Sequence, residues 1–202
     1  MVMLTEHDIY LFREGTHANL YRKLGCQLAP EGGARSAVWA PNARAVSVIG
    51  EWNGWQPDVD VMRPRWDSSG IWEADVAAVR AGAAYKYAIV NAHGQREDRA
   101  DPFAFYGEVA PASASRAWRL DHEWGDAEWM RGRAAKNALD APFAVYEVHL
   151  GSWRRSSGER LPTYREVAQP LADDVQWLGF THEELMPITE HPFYGSWGYQ
   201  TT

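Results

Sequence analysis

Two stretches, Gly70-Ile-Trp-Glu-Ala-Asp-Val76 and Ala84-Tyr-Lys-Tyr-Ala-Ile-Val90, indicate how this chain folds. In the first, apolar residues alternate with charged ones, which is the period-two pattern of a strand with one buried face. In the second, Tyr85, Tyr87 and Ile89 share one face. Both stretches therefore predict half-buried strands.

Three further strand candidates flank this pair: Ala37-Val-Trp-Ala40, Ala45-Val-Ser-Val-Ile49 and Arg116-Ala-Trp-Arg-Leu120. The first ends at a Pro-Asn turn and the second is rich in β-branched residues. Several short strands with turn residues at near-regular spacing are typical of an immunoglobulin-like antiparallel β-sandwich. We therefore predict a mainly β protein with a sandwich over residues 33–120, preceded by a lead-in over residues 1–32.

The pattern changes in the last third of the chain. Residues 121–142 show no sustained period and are predicted to be a linker. Phe143 to Leu150 is a buried-strand candidate, a helix follows, and Phe180 to Ile188 supplies the next strand. This order predicts a βαβ unit with parallel strands and a right-handed crossover in residues 143–202.

The helix of this unit has a recognisable start, face and end. Thr163 followed by Glu166 matches a capping box, and Gly179 lies where a C-terminal cap glycine belongs. Pro170 costs roughly 3 kcal/mol inside a helix, so we expect a kink or a helix that effectively begins near it. Apolar residues at helical spacing predict one buried face, formed by Val167, Leu171, Val175 and Leu178.

Composition limits the classes of partner. The chain has 202 residues, a net charge of −7 and the single cysteine Cys26. Negative charge disfavours nucleic acid and anionic membrane surfaces, and a lone cysteine is typical of a reducing compartment. No apolar run approaches the roughly 20 residues of a membrane span, and the first residues lack a signal-peptide pattern. We expect a cytoplasmic protein that binds neither nucleic acid nor membrane.

Two motifs of the last third resemble the start of the catalytic barrel of glycogen branching enzymes. They are Val145-Tyr-Glu-Val-His-Leu-Gly-Ser-Trp153 and Phe180-Thr-His-Glu-Glu-Leu-Met-Pro-Ile-Thr-Glu-His-Pro-Phe-Tyr-Gly-Ser-Trp-Gly-Tyr-Gln-Thr-Thr202. The resemblance implies a (β/α)8 barrel of glycoside hydrolase family 13. Such a barrel takes roughly 250 residues, and about 60 follow residue 142. We therefore expect only its first βαβ unit, with the remainder of the barrel as a missing partner.

The sandwich segment resembles the carbohydrate-binding module of family 48 that precedes such barrels. That module alone would also fit debranching enzymes and glycogen-sensing regulatory subunits. A lead-in typical of branching enzymes is matched at residues 8–15 and 20–25. The module itself is matched by Val38-Trp-Ala-Pro-Asn-Ala43, Val46-Ser-Val-Ile-Gly-Glu-Trp-Asn-Gly-Trp55, Gly70-Ile-Trp72, Tyr85-Lys-Tyr87 and Asp101-Pro102.

The resemblance implies an enzyme that cuts an α-1,4-glucan chain and joins it to a 6-hydroxyl, creating an α-1,6 branch. The implied chemistry is a retaining double displacement with two carboxylates. The carboxylates of the family come from later strands of the barrel, so we assign no catalytic residue and expect the isolated chain to be inactive. The expected ligand is α-1,4-glucan, as glycogen or maltooligosaccharides. No cofactor is implied, and the histidines lack metal-site spacing.

The resemblance also implies four glucan-binding residues. Tyr199 matches a tyrosine that stacks beneath a sugar ring, although we expect few neighbours to hold it here. Trp55, and with it Trp52, matches the stacking aromatic of the module, and Lys86 matches a lysine that binds sugar hydroxyls. A second tryptophan expected near residues 93–97 is replaced by His-Gly-Gln-Arg-Glu. Packing in the core or an interface is the alternative role for each aromatic residue.

The remaining carboxylates do not form an obvious catalytic pair. Glu183 and Glu184 are neighbours on a predicted strand, so their side chains point to opposite faces. Glu147 and His149 share a face, which favours a structural hydrogen bond. Glu183 occupies a position that is apolar in the family. Relaxed selection, or a local partner such as His149 or His182, would each account for it.

Three functions remain open from the sequence. The chain is part of an enzyme that needs the rest of its barrel, a free-standing glucan-binding module, or the non-functional product of a truncated gene. A tryptophan fluorescence change with maltoheptaose that is lost in Trp55→Ala would favour the second.

Overall fold

The computed structural model describes residues 3–154, 161–191 and 193–201. Two compact units divide the chain: an N-terminal unit, Met1–His122, and a C-terminal unit, Glu123–Thr202. Helices α1 and α2 span Glu6–Glu14 and Ala127–Lys136. Helices α3 and α4 span Leu150–Trp153 and Tyr164–Leu178. Across the described residues, no helix has the length and apolar character needed to cross a membrane.

The N-terminal unit is built from two antiparallel sheets. Nine strands form them: β1 Gly25–Leu28, β2 Ala34–Trp39, β3 Ala45–Gly50, β4 Asp60–Val61, β5 Arg63–Pro64, β6 Ile71–Val76, β7 Ala84–Val90, β8 Arg96–Arg99 and β9 Ser115–Arg116. The first sheet has the order β1-β2-β6-β5. The second sheet has the order β4-β3-β7-β8, with β9 pairing on β7. The prediction of a mainly β, antiparallel protein is confirmed.

A single apolar core joins the two sheets. Residues from both of them form one buried cluster, which includes Val38, Val46, Val48, Trp72, Tyr85 and Tyr87. The sheets therefore pack face to face, as in a sandwich. Because side chains alternate along a strand, Lys86 and Ala84 lie on the outer face of β7 while Tyr85 and Tyr87 lie in the core.

Helix α1 covers the outer face of the first sheet. Its Ile9 packs in a second buried cluster with Leu24 and with Ala37 and Ile71 of β2 and β6. The side chain of Thr5 caps the first turn of the helix. The lead-in is therefore packed against the sandwich.

The C-terminal unit contains strands β10 Val145–His149 and β11 His182–Met186, which pair in parallel. Helix α4 lies between them in sequence and begins at the predicted capping box, with Thr163 as N-cap. The helix ends at Gly179, whose φ of 80° is the left-handed value that favours glycine.

Three helical features differ from the sequence expectation. Helix α4 runs continuously through Pro170, which lies on the exposed side of the helix. Val167, Leu171 and Val175 are buried as predicted, but Leu178 is exposed because it is the last helical residue. Helix α2 falls inside the predicted linker and buries no residue, so it has no apolar face that a sequence pattern could reveal.

Candidate functional site

The turn that follows β3 presents Trp55 to solvent. Residues Glu51–Asn53 form one 3-10 turn, and Gly54 and Trp55 then adopt left-handed φ values of 60° and 62°. The amide of Trp55 donates to the carbonyl of Gly50 at 3.0 Å. Trp55 is 38% exposed. A tryptophan at the tip of a closed turn offers an apolar ring at low cost in conformational entropy.

Asn53 holds this turn together. Its Oδ1 accepts from the backbone N–H of Gly50 at 2.9 Å and from that of Trp55 at 3.1 Å. Its Nδ2 donates to the carbonyl of Val48 at 3.0 Å and to Asp60 Oδ2 at 2.7 Å. Asn53 thus uses both ends of its amide to position Trp55. The sequence analysis did not single it out; its place inside the Trp-Asn-Gly-Trp turn was the available signal.

Trp52 has a different environment from Trp55. It is half-buried against the sandwich core, and its Nε1 donates to Asp60 Oδ2 at 2.8 Å. A Cβ on Gly50 would lie 2.4 Å from an atom of the Trp52 ring. The glycine is therefore required by the ring packed against it, and much of the Trp52 ring is engaged in packing.

Lys86 lies on β7, in register with Ile49 of the neighbouring β3. Its side chain is half-buried on the outer face of the second sheet, and Nζ donates to Ser113 Oγ at 2.9 Å. Gly50, where the tryptophan turn begins, pairs with Tyr85. Adjacent strands therefore carry Lys86 and the turn of Trp55 to the same end of the second sheet.

The stretch at residues 93–97 contributes no ring to this end of the sheet. His93 and Gly94 lie in the turn between β7 and β8. The residues of β8, Arg96–Arg99, are all charged and exposed. Charged residues of this kind protect an edge strand from pairing with other chains.

Tyr199 belongs to the C-terminal unit, and the residue is 66% exposed. This exposure agrees with the expectation of few neighbours, and the His149 ring stacks beside Tyr199 with centroids 6.2 Å apart and planes at 28°. His149 also has its Nε2 3.4 Å from the carbonyl oxygen of Trp197 and its Nδ1 3.2 Å from Ser152 Oγ. One face of Tyr199 is thus supported by a side chain of the first strand of its unit.

The structure brings together two carboxylates that the sequence analysis did not pair. Glu147 of β10 is in register with Glu184 of β11, on strands about 4.8 Å apart. Because Val148 is buried against α4, both carboxylates lie on the opposite face. Both are exposed, so neither lies in an enclosed site. Glu183 is exposed as well, and its carboxylate therefore meets no burial cost.

A groove of about 1170 Å³ lies within the C-terminal unit, and Glu183 is one of its lining residues. Trp129 and Arg133 of α2 line one part of it, and Val175 and Gln176 of α4 line another. Within the described residues, no cluster of three or more His, Cys, Asp or Glu side chains could hold a metal ion.

Comparison with known proteins places the N-terminal unit in a class. Residues 23–104 match the family model of carbohydrate-binding module 48, the isoamylase N-terminal domain. A candidate alpha amylase of Salmonella typhimurium superposes with a TM-score of 0.63 at 21% identity, over 88% of this chain and 27% of that one. A maltotriose complex of Klebsiella pneumoniae pullulanase superposes with a TM-score of 0.59 at 21% identity, over 83% and 18%. The chain is therefore similar in fold to a part of each of these two proteins.

Sequence identity is much higher with one group of enzymes. The chain is 65% identical over 98% of its length to a 1,4-alpha-glucan branching enzyme of Aromatoleum aromaticum, and covers 31% of that enzyme. It is 61% identical to the branching enzyme of Albidiferax ferrireducens, over 99% of this chain and 32% of the enzyme. The chain thus spans about a third of the length of these relatives. Its sequence is similar to the corresponding part of these glycogen branching enzymes.

Proposed function

We propose that this chain is the glucan-binding and barrel-entry part of a glycogen branching enzyme. The observation that carries the proposal is the 65% identity that extends over nearly the whole chain, through both units. In this role the sandwich at residues 33–120 holds α-1,4-glucan, and residues 143–202 begin the (β/α)8 barrel. The parallel pairing of β10 and β11, with α4 between them in sequence, supports the second assignment.

The glucan contact of the sandwich is assigned to Trp55 and Lys86. A glucose ring has an apolar C–H face that packs on an exposed indole, and its hydroxyls accept hydrogen bonds from an ammonium group. Both side chains are carried to one end of the second sheet. Trp52 takes part chiefly by packing beneath the turn, since its ring lies against Gly50 and its N–H is bonded to Asp60.

The branching reaction needs residues from outside this chain. In a retaining double displacement, one carboxylate attacks the anomeric carbon and the second protonates the leaving oxygen. A 6-hydroxyl of glucan then resolves the glycosyl-enzyme, forming the α-1,6 bond. The exposed pair Glu147 and Glu184 lacks an enclosed site, so the isolated chain is inactive. Tyr199, stacked beside His149, supplies a ring for the glucose unit at the cleavage point.

A hybrid enzyme tests this proposal. We expect active enzyme when this chain replaces the corresponding part of the Aromatoleum aromaticum relative, measured as new α-1,6 linkages in amylose. Tyr199→Ala in the hybrid should lower kcat/KM at least about tenfold, because one stacking contact of about 1.4 kcal/mol is lost. Tyr164→Ala, which removes an exposed tyrosine at the start of α4, is the matched control and should leave the rate unchanged. New α-1,6 linkages made by the isolated chain would contradict the proposal.

A second function, free-standing glucan binding, is favoured by the match to carbohydrate-binding module 48. The isolated chain should then bind maltoheptaose without the rest of the barrel, and Trp55→Ala should abolish that binding. Tryptophan fluorescence and calorimetric titration measure it directly. If the hybrid is inactive and the isolated chain still binds maltoheptaose, free-standing glucan binding replaces the enzyme part as the proposed function.

A further inference from the structure

Two half-exposed aromatic rings meet on the N-terminal unit at a place that no family motif of the sequence covers. Tyr106 and Trp118 are 47% and 45% exposed. Their rings contact edge to face, with centroids 5.2 Å apart and planes at 64°. Such a pair fixes the orientation of each ring while leaving apolar surface open to solvent.

Backbone pairing places this ring pair on the outer face of the second sheet. Arg116 of β9 is in register with Ala84 of β7, and its amide donates to the carbonyl of Tyr106 at 2.8 Å. Ser115 and Ala117 are buried. Backbone pairing continues past the end of β9, because the amide of Ala117 donates to the carbonyl of Ala83 at 2.9 Å. Side chains alternate along this extended stretch, so Arg116 and Trp118 point outward. Their face is the one that carries Lys86.

Polar groups beside the rings are held in place. One guanidinium nitrogen of Arg116 donates to the carbonyl of Gly82 at 2.8 Å, and another lies 3.3 Å from Glu108 Oε1. Glu108 Oε2 in turn accepts from the amide of Ala114 at 3.1 Å. The patch thus combines aromatic surface with a fixed donor and a fixed acceptor of opposite charge. This chemistry suits a neutral polyhydroxyl ligand, whose C–H faces stack and whose hydroxyls both donate and accept.

The patch is continuous with the end of the sheet that carries Lys86 and the turn of Trp55. Ala84 of β7 lies opposite Arg116 of β9. From this pair, Lys86 lies two residues along the sheet in one direction, and Trp118 lies two residues along it in the other direction. At about 3.3 Å per residue, this puts the two positions about 13 Å apart along the strands. The turn of Trp55 lies across β7 from β9, because β3 and β9 pair with β7 on opposite sides.

We propose that Tyr106 and Trp118 form a second stacking platform that extends the glucan contact of Trp55 and Lys86 along the same α-1,4-glucan chain. The proposal rests on the glucan-binding part of the proposed function. The platform supplies the second aromatic contact that residues 93–97 lack. A chain of seven glucose units is long enough to cover both contacts at once, whereas a chain of three has fewer glucose units to share between Trp55 and Trp118.

Chain-length dependence tests the platform. The complete 202-residue chain and its variants are titrated calorimetrically with maltotriose and with maltoheptaose. Trp118→Ala should weaken maltoheptaose binding about tenfold and change maltotriose binding less than about twofold. Tyr106→Ala should act in the same direction, and Trp118→Phe should restore most of the loss because it keeps a ring. Trp66→Ala removes a tryptophan that is 79% exposed between β5 and β6 of the other sheet and serves as the matched control.

The outcomes separate the platform from the site on which it rests. If Trp55→Ala weakens both ligands while Trp118→Ala weakens neither, the platform is overturned and the site at Trp55 stands. Equal losses for both ligands in the still-folded Trp118→Phe variant would also overturn it. If Trp55→Ala has no effect while Trp118→Ala still weakens maltoheptaose, the platform binds glucan and the assignment of Trp55 fails. An unaltered chain that binds neither ligand contradicts both.

Discussion

The two units of this chain differ in how completely their strands are covered. In the N-terminal unit, one buried cluster fills the space between two sheets and a second lies beneath α1. In the C-terminal unit, one helix covers one face of two strands, and the buried cluster consists of Val148, Val167, Leu171 and Val175. Two strands need further strands or a packed helix to be stable, so we expect the C-terminal unit to be the less stable of the two.

The largest expected effect comes from Asp101 and its hydrogen-bond donors in the N-terminal unit, which we call the Asp101 centre. Buried Asp101 accepts from the hydroxyls of Tyr85 at 2.6 Å and Tyr87 at 3.3 Å, and from the amide of Phe103 at 2.8 Å. Burial raises the pKa of the Asp101 carboxyl, while these bonds to its ionised form oppose that rise. Asp101→Ala should lower the free energy of unfolding by about 3 kcal/mol, because buried donors lose their acceptor. Urea unfolding followed by near-ultraviolet circular dichroism measures the loss.

The matched control for this change is Asp98→Ala on the exposed strand β8. Asp98 pairs with Arg96 at 2.7 Å in solvent, so its loss should change the free energy of unfolding by less than about 0.5 kcal/mol. Similar losses in the two variants would mean that the Asp101 centre does not hold the sandwich together.

An intermediate effect is expected in the C-terminal unit. Leu171→Ala removes a side chain from the buried cluster of this unit and should lower its free energy of unfolding by about 2 kcal/mol. With so few buried residues, amides throughout α4 and β10 should exchange faster, while those of β3 and β7 keep their rates. Hydrogen exchange followed by mass spectrometry separates the two units in one experiment. Trp177→Ala, at an exposed position of the same helix, is the control, and faster exchange in β3 after Leu171→Ala would break the contrast between the units.

The smallest expected effect concerns the lead-in that covers the first sheet. Burial of Asp8 opposes its ionisation, but hydrogen bonds from Thr5, Lys23 and His17 prevail and lower the pKa of its carboxyl. A lowered pKa in the folded state means that the stabilisation is present above about pH 4 and is lost progressively as the pH falls below it. Asp8→Asn should lower the free energy of unfolding by about 1 kcal/mol at pH 6. This difference from the unaltered chain should become smaller as the pH falls.

Urea unfolding of the Asp8→Asn variant and the unaltered chain between pH 3 and pH 6 checks this expectation. Glu6→Gln changes an exposed carboxylate in the same first turn of α1 and should show no such pH-dependent difference. A cost for Asp8→Asn that stays constant across the range would show that ionisation of Asp8 does not hold the lead-in on the sandwich.

Elements with a strong period or cap were predictable, and elements without one were not. Strand β7 has the predicted limits, and α4 begins and ends at the predicted cap residues. Strand β8 was missed because its four charged residues carry no alternation. Helix α2 was missed because alanine and charged residues favour a helix by propensity alone, without an apolar stripe.

The candidate site divides in the same way. Sequence motifs alone indicated Trp52, Trp55 and Lys86. They do not distinguish the two tryptophans, because both belong to the same four-residue turn. Only the folded turn distinguishes them, because the ring of Trp52 packs on Gly50 and its N–H is bonded to Asp60. Asp60 lies eight residues away from Trp52, and its position depends on the pairing of β4 with β3.

The sequence by itself determined the strand periodicity, the helix caps and the relation to glycogen branching enzymes, because each of these depends on residues that are close together in the chain. Tertiary structure alone decided which rings face solvent, which side chain supports Tyr199, and that Tyr106 meets Trp118. These contacts join residues far apart in the chain, so they follow from strand register and the packing of sheets. No local pattern specifies a register, which is why the proposed extension of the glucan surface is visible only in the folded protein.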